Sequence, residues 1–542
     1  MMLGLIQAGF TELWDDEAYY WVYSKFLDWG YFDHPPMVAA LIRMGYAVFQ
    51  NELGVRLLFL VLNVLSLLII EKLLERKNPL LFYTIALSLA VLQLGGFLAV
   101  PDTPLIFFTA LFFLCYKRFL QEVSLLNSIL LGTVTAALLY SKYHAVLIVF
   151  FVLLSNLKLL ARYQTYIAAL IALAIFIPHL WWQYQHDWIS FRYHLFESNV
   201  NPYKFSHTLD YTGGQVLLAG PLAGVILLPA AFLYQPKDPI GKGLKFTHVG
   251  VYVFFLLSSF RGKVEANWTS PAVVPLFILS HNYLTERKAS VIKWRKWLWR
   301  LLPATMVLVL FVRIVMIIDI LPVKAIKERC HGWAQWPQLM KVKTKGLPVV
   351  FENSYQRASK YWFYSGQLTY SLNWYKERRN NYNFWPIEDS LLGKPVFILD
   401  IHNPDSFQTK MSTGIGVVGY RYDSAFSSFA KVQLIPNEKT IYAQENSSFT
   451  IHTTPALSAK YLQYIDSHPE MEIKIVVGVF DKYNWVKDLP VPFSLQDCVH
   501  HQKILAFTPQ LPKGDYYLIF SIYHVGTITP THNSKKIKLV IQ

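Results

Sequence analysis

The chain has 542 residues, 54% of them hydrophobic and only 16% charged. A soluble protein of this length would carry far more charge and would divide into several domains. The net charge of +15 would by itself suggest nucleic acid, but the basic residues fall between apolar runs, where retained cytoplasmic loops explain them and no nucleic acid is needed.

In chain order, Met1 to Phe10 is apolar but too short for a span, which needs ~20 residues to cross a hydrocarbon core of ~30 Å. It is read as the tail of a first membrane helix with a cytoplasmic N-terminus, in preference to a chain that begins outside. No cleavable signal peptide is apparent, and none is needed when a membrane helix directs insertion. Residues 15–28 and 36–50 read as short helices rich in Tyr, Trp and Leu, a composition suited to the headgroup zone, so residues 1–52 form a first extracytoplasmic loop with interfacial helices. Ten apolar runs follow, near 53–74, 79–99, 104–117, 125–141, 145–161, 164–182, 212–234, 246–260, 270–284 and 301–321.

The loops between these runs alternate in charge. One set holds Lys72, Arg76 and Lys77; Lys117 and Arg118; Lys158 and Arg162; Lys237, Lys242 and Lys245; and the cluster from Arg287 to Arg300. Excess Lys and Arg marks these as cytoplasmic. The loops near Asp102 and Lys142, between Trp182 and Asp210, and around Arg261 to Asn267 are then extracytoplasmic, as is everything after the membrane domain of residues 53–321. The expected protein is a polytopic α-helical membrane protein of about 10–11 transmembrane helices, in a bacterial plasma membrane.

After residue 321 charge and turn residues rise. Leu347 to Glu352 and Lys394 to Ile401 read as buried strands with a helix near Tyr355 to Tyr364 between them, giving an extracytoplasmic α/β unit over residues 322–437. From residue 438 to 542, runs at Ser448–His452, Met471–Phe480, Lys503–Thr508, Asp515–Tyr523 and Lys535–Ile541 indicate a β-sandwich. Of the three cysteines, Cys115 reads as packing, and Cys330 and Cys498 are open to pairing without any framework spacing to require it.

Acidic, basic and aromatic residues gather in the outer loops. Asp15, Asp16 and Glu17 open a helix, a position that favours carboxylates, and Asp16, Tyr19 and Tyr20 share one helix face. Asp33-His34-Pro35-Pro36 is a stiff turn, because each proline fixes its own φ and Pro35 restricts His34. A carboxylate and an imidazole held together there suit a phosphate or a metal. Asp16, Asp33 and His34 would hold a divalent cation if one is used, and no cofactor is otherwise called for. Asp102, between two prolines, reads as a helix start. Lys142 ends a span on the outer side, against the charge rule, which points to an anionic partner. Arg261, Lys263, Glu265 and Asn267 form a second outer loop of mixed charge. Trp181, Trp182 and Trp188, with His186 and Asp187, read as an aromatic belt.

Taken together, Asp16-Glu17-Ala18-Tyr19-Tyr20-Trp21, Gly30-Tyr31-Phe32-Asp33-His34-Pro35-Pro36, Pro101-Asp102, Ser141-Lys142-Tyr143, His186-Asp187-Trp188-Ile189-Ser190-Phe191 and Glu265-Ala266-Asn267-Trp268 resemble the motifs of the GT-C membrane glycosyltransferases. The group is that of the protein O-mannosyltransferases and lipid A aminoarabinose transferases, and the likeness covers roughly residues 12–320. It implies an undecaprenyl-phosphate-linked sugar as donor, membrane lipids as surroundings, and a lipid, glycan or protein acceptor. It further implies that Asp16, Asp33 and Asp102 are catalytic, that His34 and Lys142 contact the donor phosphate, and that Glu17, Tyr19 and Tyr20 line the pocket. Tyr19 departs from the arginine some relatives carry.

The residue types agree with that chemistry. Lys142 and His34, with Arg261 or Lys263, would match the charge of a leaving phosphate, while Asp16 takes the proton of an incoming hydroxyl in a single inverting displacement. Glu265 and Asn267 complete the expected pocket. No glycine-rich loop for a nucleotide sugar precedes a helix. The alternative is a transporter or flippase of lipid-linked sugars, which would favour duplicated halves and broken helices; neither is visible in the sequence.

Overall fold

A computed structural model describes every residue except 76, 199–201, 322, 483, 501–503, 509 and 527–528. Arg76 of the basic loops and Lys503, the expected start of a strand, therefore lie outside the described residues. The chain forms two compact units, Met1–His331 and Gly332–Gln542.

The first unit is helical: α1 (Met2–Phe10), α2 (Asp15–Lys25), α3 (Met37–Tyr46), α4 (Glu52–Leu73), α5 (Pro79–Ser88), α6 (Ala90–Gln93), α7 (Asp102–Gln121), α8 (Leu125–Ser141), α9 (Ala145–Ser155), α10 (Tyr163–Gln185), α11 (Ile189–Arg192), α12 (Phe205–Leu218), α13 (Gly224–Leu233), α14 (Pro239–Ser258), α15 (Val273–Leu284), α16 (Ala289–Ile317) and α17 (Lys324–Cys330). Of these, α4, α7, α10, α14 and α16 are long and apolar enough to cross a membrane. Side-chain caps set several starts: Asn51, Asn78, Ser124 and Asp238 each accept a backbone N–H from the first turn that follows, satisfying donors that would otherwise be orphaned.

Two of the ten apolar runs are broken, which corrects the expectation of unbroken helices. The run near 79–99 divides at Leu89, whose backbone is extended, into α5 and α6. The run near 212–234 divides at Gly220 between α12 and α13. The breaks touch: Gly220 has φ +120°, and a Cβ there would lie 2.4 Å from the Ser88 carbonyl. Freed carbonyls find donors, with the Arg313 guanidinium of α16 bonding the Gln93 carbonyl at the end of α6. Irregular backbone inside a bundle is tolerated where protein satisfies it in this way.

The second unit adds α18 (Trp336–Lys343), β1 (Val349–Glu352), α19 (Tyr355–Ser365), β2 (Thr369–Leu372), α20 (Ile387–Leu391), β3 (Val396–Asp400), β4 (Thr409–Thr413) and β5 (Gly416–Asp423). These build a mixed sheet of order β2-β1-β3-β5-β4, parallel across its first three strands. Then come β6 (Gln433–Pro436), β7 (Thr440–Ala443), β8 (Phe449–Ala456), α21 (Ala459–Ser467), β9 (Ile473–Phe480), β10 (Trp485–Ser494), α22 (Leu495–His500), β11 (Ile504–Phe507), β12 (Gly514–His524) and β13 (Ile537–Ile541). They form one sheet of order β10-β9-β12-β13-β7 and a second of order β11-β8-β6. Alternate residues of β9 and β12, such as Val477, Val479, Leu518 and Phe520, share a core with Phe449 and Ile451 of β8 and Leu434 of β6, as two half-buried sheets require. All three cysteines are buried, and the disulfide left open between Cys330 and Cys498 is not formed.

Candidate active site

The outer-loop motifs meet at one end of the helical unit, since α7, α9 and α15 start there and α8, α10 and α14 end there. At its centre, Lys142 Nζ donates to Asp102 Oδ1 at 2.7 Å, with the lysine side chain almost wholly buried. Asp102 occupies the first position of α7, where the helix dipole favours a carboxylate. Its other oxygen accepts from Asn267 Nδ2 at 3.0 Å, and the Ser270 hydroxyl bonds Oδ1. Asp102 thus has three side chains bonded to it, whereas the hydrogen bond of the Lys142 ammonium among the described residues is the one to Asp102.

The α2–α3 turn forms the next wall. Asp33 Oδ2 accepts from the hydroxyls of Tyr19 at 3.2 Å and Tyr23 at 3.1 Å, both on one face of α2. Tyr31 stacks on Tyr23 with centroids 4.0 Å apart. His34 packs edge-on to Tyr20 and stacks near His194, with centroids 5.5 and 6.3 Å away. His194 Nε2 in turn bonds the Asp33 carbonyl at 2.8 Å. His144, next but one to Lys142, packs against Trp268 and Phe255.

Burial lowers the His34 imidazole to a pKa of about 3, Asp33 opposing the shift and Lys142 and His194 adding to it. Burial, Lys142, His194 and His34 hold His144 well below its usual value. Both rings are therefore neutral near pH 7, and the Nδ1 atom of each is buried without a hydrogen-bond partner. The pocket holds a lysine and three imidazoles beside carboxylates that are already engaged. Such a set accommodates one more anion rich in acceptors, of which a phosphate is the simplest.

The motif from His186 to Phe191 has a scaffolding role. Asp187 and Trp188 have φ of 56° and 57°, a left-handed pair that turns the chain back after α10. Ser190 then donates to the Tyr31 carbonyl at 2.8 Å and accepts from Gln183 at 2.8 Å. Trp182 is buried, its indole N–H on Asp28 at 2.8 Å and its face on His186 at 4.0 Å. It therefore leaves the expected aromatic belt, while Trp181 remains exposed. A Cβ at Gly30 would come within 2.5 Å of the Trp182 ring, which accounts for that glycine.

Other expected site residues are distributed differently. Asp16 is exposed on the first turn of α2, one turn before Tyr19 and Tyr20 on the same face. Glu17, expected in the pocket, is instead fully buried in a structural ion pair. Its carboxylate takes Arg56 at 2.5 and 2.7 Å, the Trp14 N–H at 2.9 Å and the Ala99 N–H at 2.9 Å. Arg261 is exposed, and Lys263 pairs at 2.9 Å with Glu265, both more than half exposed; the loop contributes Asn267 and Ser270 to the Asp102 cluster. Among the described residues no group of three or more His, Cys, Asp or Glu is arranged to hold a metal ion, so Asp16, Asp33 and His34 do not form one.

His144, His194, Tyr23 and Ser270 were missed in the sequence. His144 was within reach, two residues after the singled-out Lys142; His194 arrives only through the turn at Asp187 and Trp188.

These features define a multi-pass membrane protein with a buried cluster of Asp102, Lys142 and histidines at one end of its helical unit. Residues 33–182 match the family described as dolichyl-phosphate-mannose-protein mannosyltransferase. The lipid A galacturonosyltransferase RgtD of Rhizobium johnstonii is 27% identical over 287 residues, covering 50% of this chain and 60% of that protein. The chain therefore spans less than two thirds of the curated relative it matches. ArnT of Cupriavidus metallidurans shares the fold. In the apo state the TM-score is 0.56 at 11% identity, and bound to undecaprenyl phosphate it is 0.55 at 13%. Each match covers 77% of this chain and 96% of that one. Over residues 33–182 the chain is thus similar to the dolichyl-phosphate-mannose-protein mannosyltransferase family, over 287 residues to RgtD, and in fold to ArnT.

Proposed function

We propose that the protein transfers one sugar from a polyprenyl-phosphate donor to a lipid acceptor, with lipid A, the acceptor in the name of RgtD, as the first to try. The observation that carries this reading is the buried Lys142 ammonium, held by Asp102 and surrounded by imidazoles with unpartnered buried nitrogens. A neutral imidazole still carries one N–H to give, so Lys142, His34, His144 and His194 hold the donor phosphate and stabilise the charge that gathers on it as the glycosidic bond breaks. Asp102 fixes Lys142, and Asp33 orders the turn that presents His34. Asp16, accessible one turn from Tyr19 and Tyr20, removes the proton of the acceptor hydroxyl as it attacks the anomeric carbon from the face opposite the phosphate. A small cleft beside Asn267 and Ser270 is also lined by Val91, Leu218, Val273 and Leu276, an apolar patch next to the Asp102 cluster. On this reading the site faces the extracytoplasmic side, because the opposite loops carry the Lys and Arg excess.

Purified protein with a radiolabelled polyprenyl-phosphate sugar and lipid A tests this. Asp16→Asn is expected to retain donor binding and lose transfer, and Lys142→Met to lose both; full transfer by either variant removes that residue from the mechanism. The touching helix breaks at Ser88 and Gly220 favour a second reading, movement of the lipid-linked sugar between leaflets. Leaflet exchange in liposomes without any transfer would select it.

A further inference from the structure

The α/β sheet of the second unit contains a topological switch point. From β1 the chain passes through α19 to β2 on one side, then returns to place β3 on the other side of β1, all three parallel. Crevices outside the carboxyl ends of strands at such a point are where open α/β sheets bind ligands. The register Val349↔Phe397, Val350↔Ile398 and Phe351↔Leu399 brings the next two residues, Glu352 and Asp400, side by side at those ends. Neighbouring strands lie only ~4.8 Å apart.

Both carboxylates are buried, with Glu352 5% and Asp400 7% exposed. Two such groups together are costly unless other groups compensate for them. Asp400 accepts from the His402 N–H at 2.7 Å. Glu352 receives a long bond of 3.4 Å from the Thr529 hydroxyl on Oε2, and its Oε1 is buried with no partner. The next residue, Asn353, has φ of 46°, and its side chain accepts from the Trp374 N–H at 3.1 Å, fixing a half-buried indole at the end of β2.

We infer that this end of the sheet is a saccharide-binding site, in which vicinal ring hydroxyls donate to Glu352 and Asp400 and the ring's apolar face meets Trp374. The site asks for donors, but a cation is disfavoured. Arg421 acts on Glu352 and Arg357 on His402 beside Asp400, and no third ligand completes a metal site among the described residues. A neutral polyol supplies donors without charge. The site stands on its own, independent of the chemistry in the helical unit.

The test uses the full chain in detergent and a panel of neutral methyl-capped hexose and N-acetylhexosamine disaccharides, read by saturation-transfer NMR. At least one is expected to bind, with Kd raised tenfold or more by Glu352→Gln combined with Asp400→Asn, and raised by Trp374→Ala. Each isosteric amide replaces one accepting oxygen by an NH2 group that cannot accept from a sugar hydroxyl, and an unchanged or higher Tm shows that the variant folds. Lys142→Met should leave this binding intact, which separates it from any sugar site in the helical unit. Binding by none of the panel, equal Kd in wild type and variants, or loss of binding in Lys142→Met would overturn the assignment. So would a Tm rise with Ca²⁺ or Mg²⁺ that Glu352→Gln abolishes, which would make the site a metal site.

Discussion

The helical unit contains two buried ion pairs of opposite character. In Glu17–Arg56 the exchange of hydrogen bonds is complete: both carboxylate oxygens are filled, and the guanidinium also donates to the carbonyls of Ala8, Thr11 and Glu12 at 3.0, 2.6 and 3.0 Å. That pair ties the N-terminal segment, α2 and α4 into one body. In Asp102–Lys142 only the carboxylate is filled, and the ammonium neighbours His34 and His144, whose Nδ1 atoms are buried without a hydrogen-bond partner. Saturation marks a pair that serves folding, while unspent donors beside it mark one that serves a ligand.

The contrast can be broken or sharpened by substitution. Arg56→Met strands the Glu17 charge and should cost about 3–5 kcal/mol of stability, read as thermal unfolding in detergent. Adding Glu17→Gln should recover part of that loss; if the single change leaves Tm untouched, the pair does not hold the fold. Lys142→Met should reduce transfer by about 10²–10³-fold and also lower Tm, because it leaves the buried Asp102 without its cation; adding Asp102→Asn should recover Tm without recovering transfer. A third buried group shows what happens with no cation paired to it. Burial and then Asp400 raise Glu352 to a pKa of about 7, well above the usual carboxylate range, with Arg421 and the Thr529 hydroxyl opposing. Its protonated form is the one the fold prefers. The stabilisation is complete below the unfolded value and is lost as pH rises toward 7, about 3 kcal/mol in all. Chemical denaturation between pH 4.5 and 7.5 should show that slope, and Glu352→Gln should flatten it.

A smaller effect concerns His34. With a pKa of about 3, His34 stays neutral from about pH 8 to 6 and gives the phosphate an N–H and not a charge, so its contribution to donor affinity should be flat across that range. Isothermal titration calorimetry of His34→Ala should show donor affinity weakened by up to about tenfold at every pH in that range. The exposed Lys263–Glu265 pair is the weakest lever, because solvent-screened pairs contribute about 0–1 kcal/mol. Lys263→Ala is expected to change stability within that range and donor affinity less than fivefold; a larger loss of affinity would bring the loop into the phosphate site.

Much of this was legible in one dimension because the signals are local. The strands Val349–Glu352 and Val396–Asp400 and the helix Tyr355–Ser365 lie within two residues of where apolar runs and turn residues put them. Lys142 stood out as a cation on the wrong side of a span. What escaped notice depended on partners distant in sequence. Glu17 has the appearance of a pocket residue until Arg56 reaches it across 39 positions. The residue that could have warned of this was Arg56 itself, a cation inside an apolar run, where an unpaired charge is not tolerated. The strand Trp485–Ser494 was hidden by its two prolines, and it sits at the sheet edge, where missing N–H groups are harmless.

Composition, periodicity and loop charge by themselves determined that this is a multi-pass membrane protein with an α/β unit and a β-sandwich behind it, because hydrophobic length and pattern are properties of contiguous residues. They also chose the stiff turns and the cations worth watching. Only the tertiary structure decided which carboxylate is consumed and which is shared, that three histidines gather around Lys142, and that two apolar runs break where they touch. Those outcomes depend on which groups meet in a low-dielectric interior, where each polar atom must find a partner or wait for a ligand.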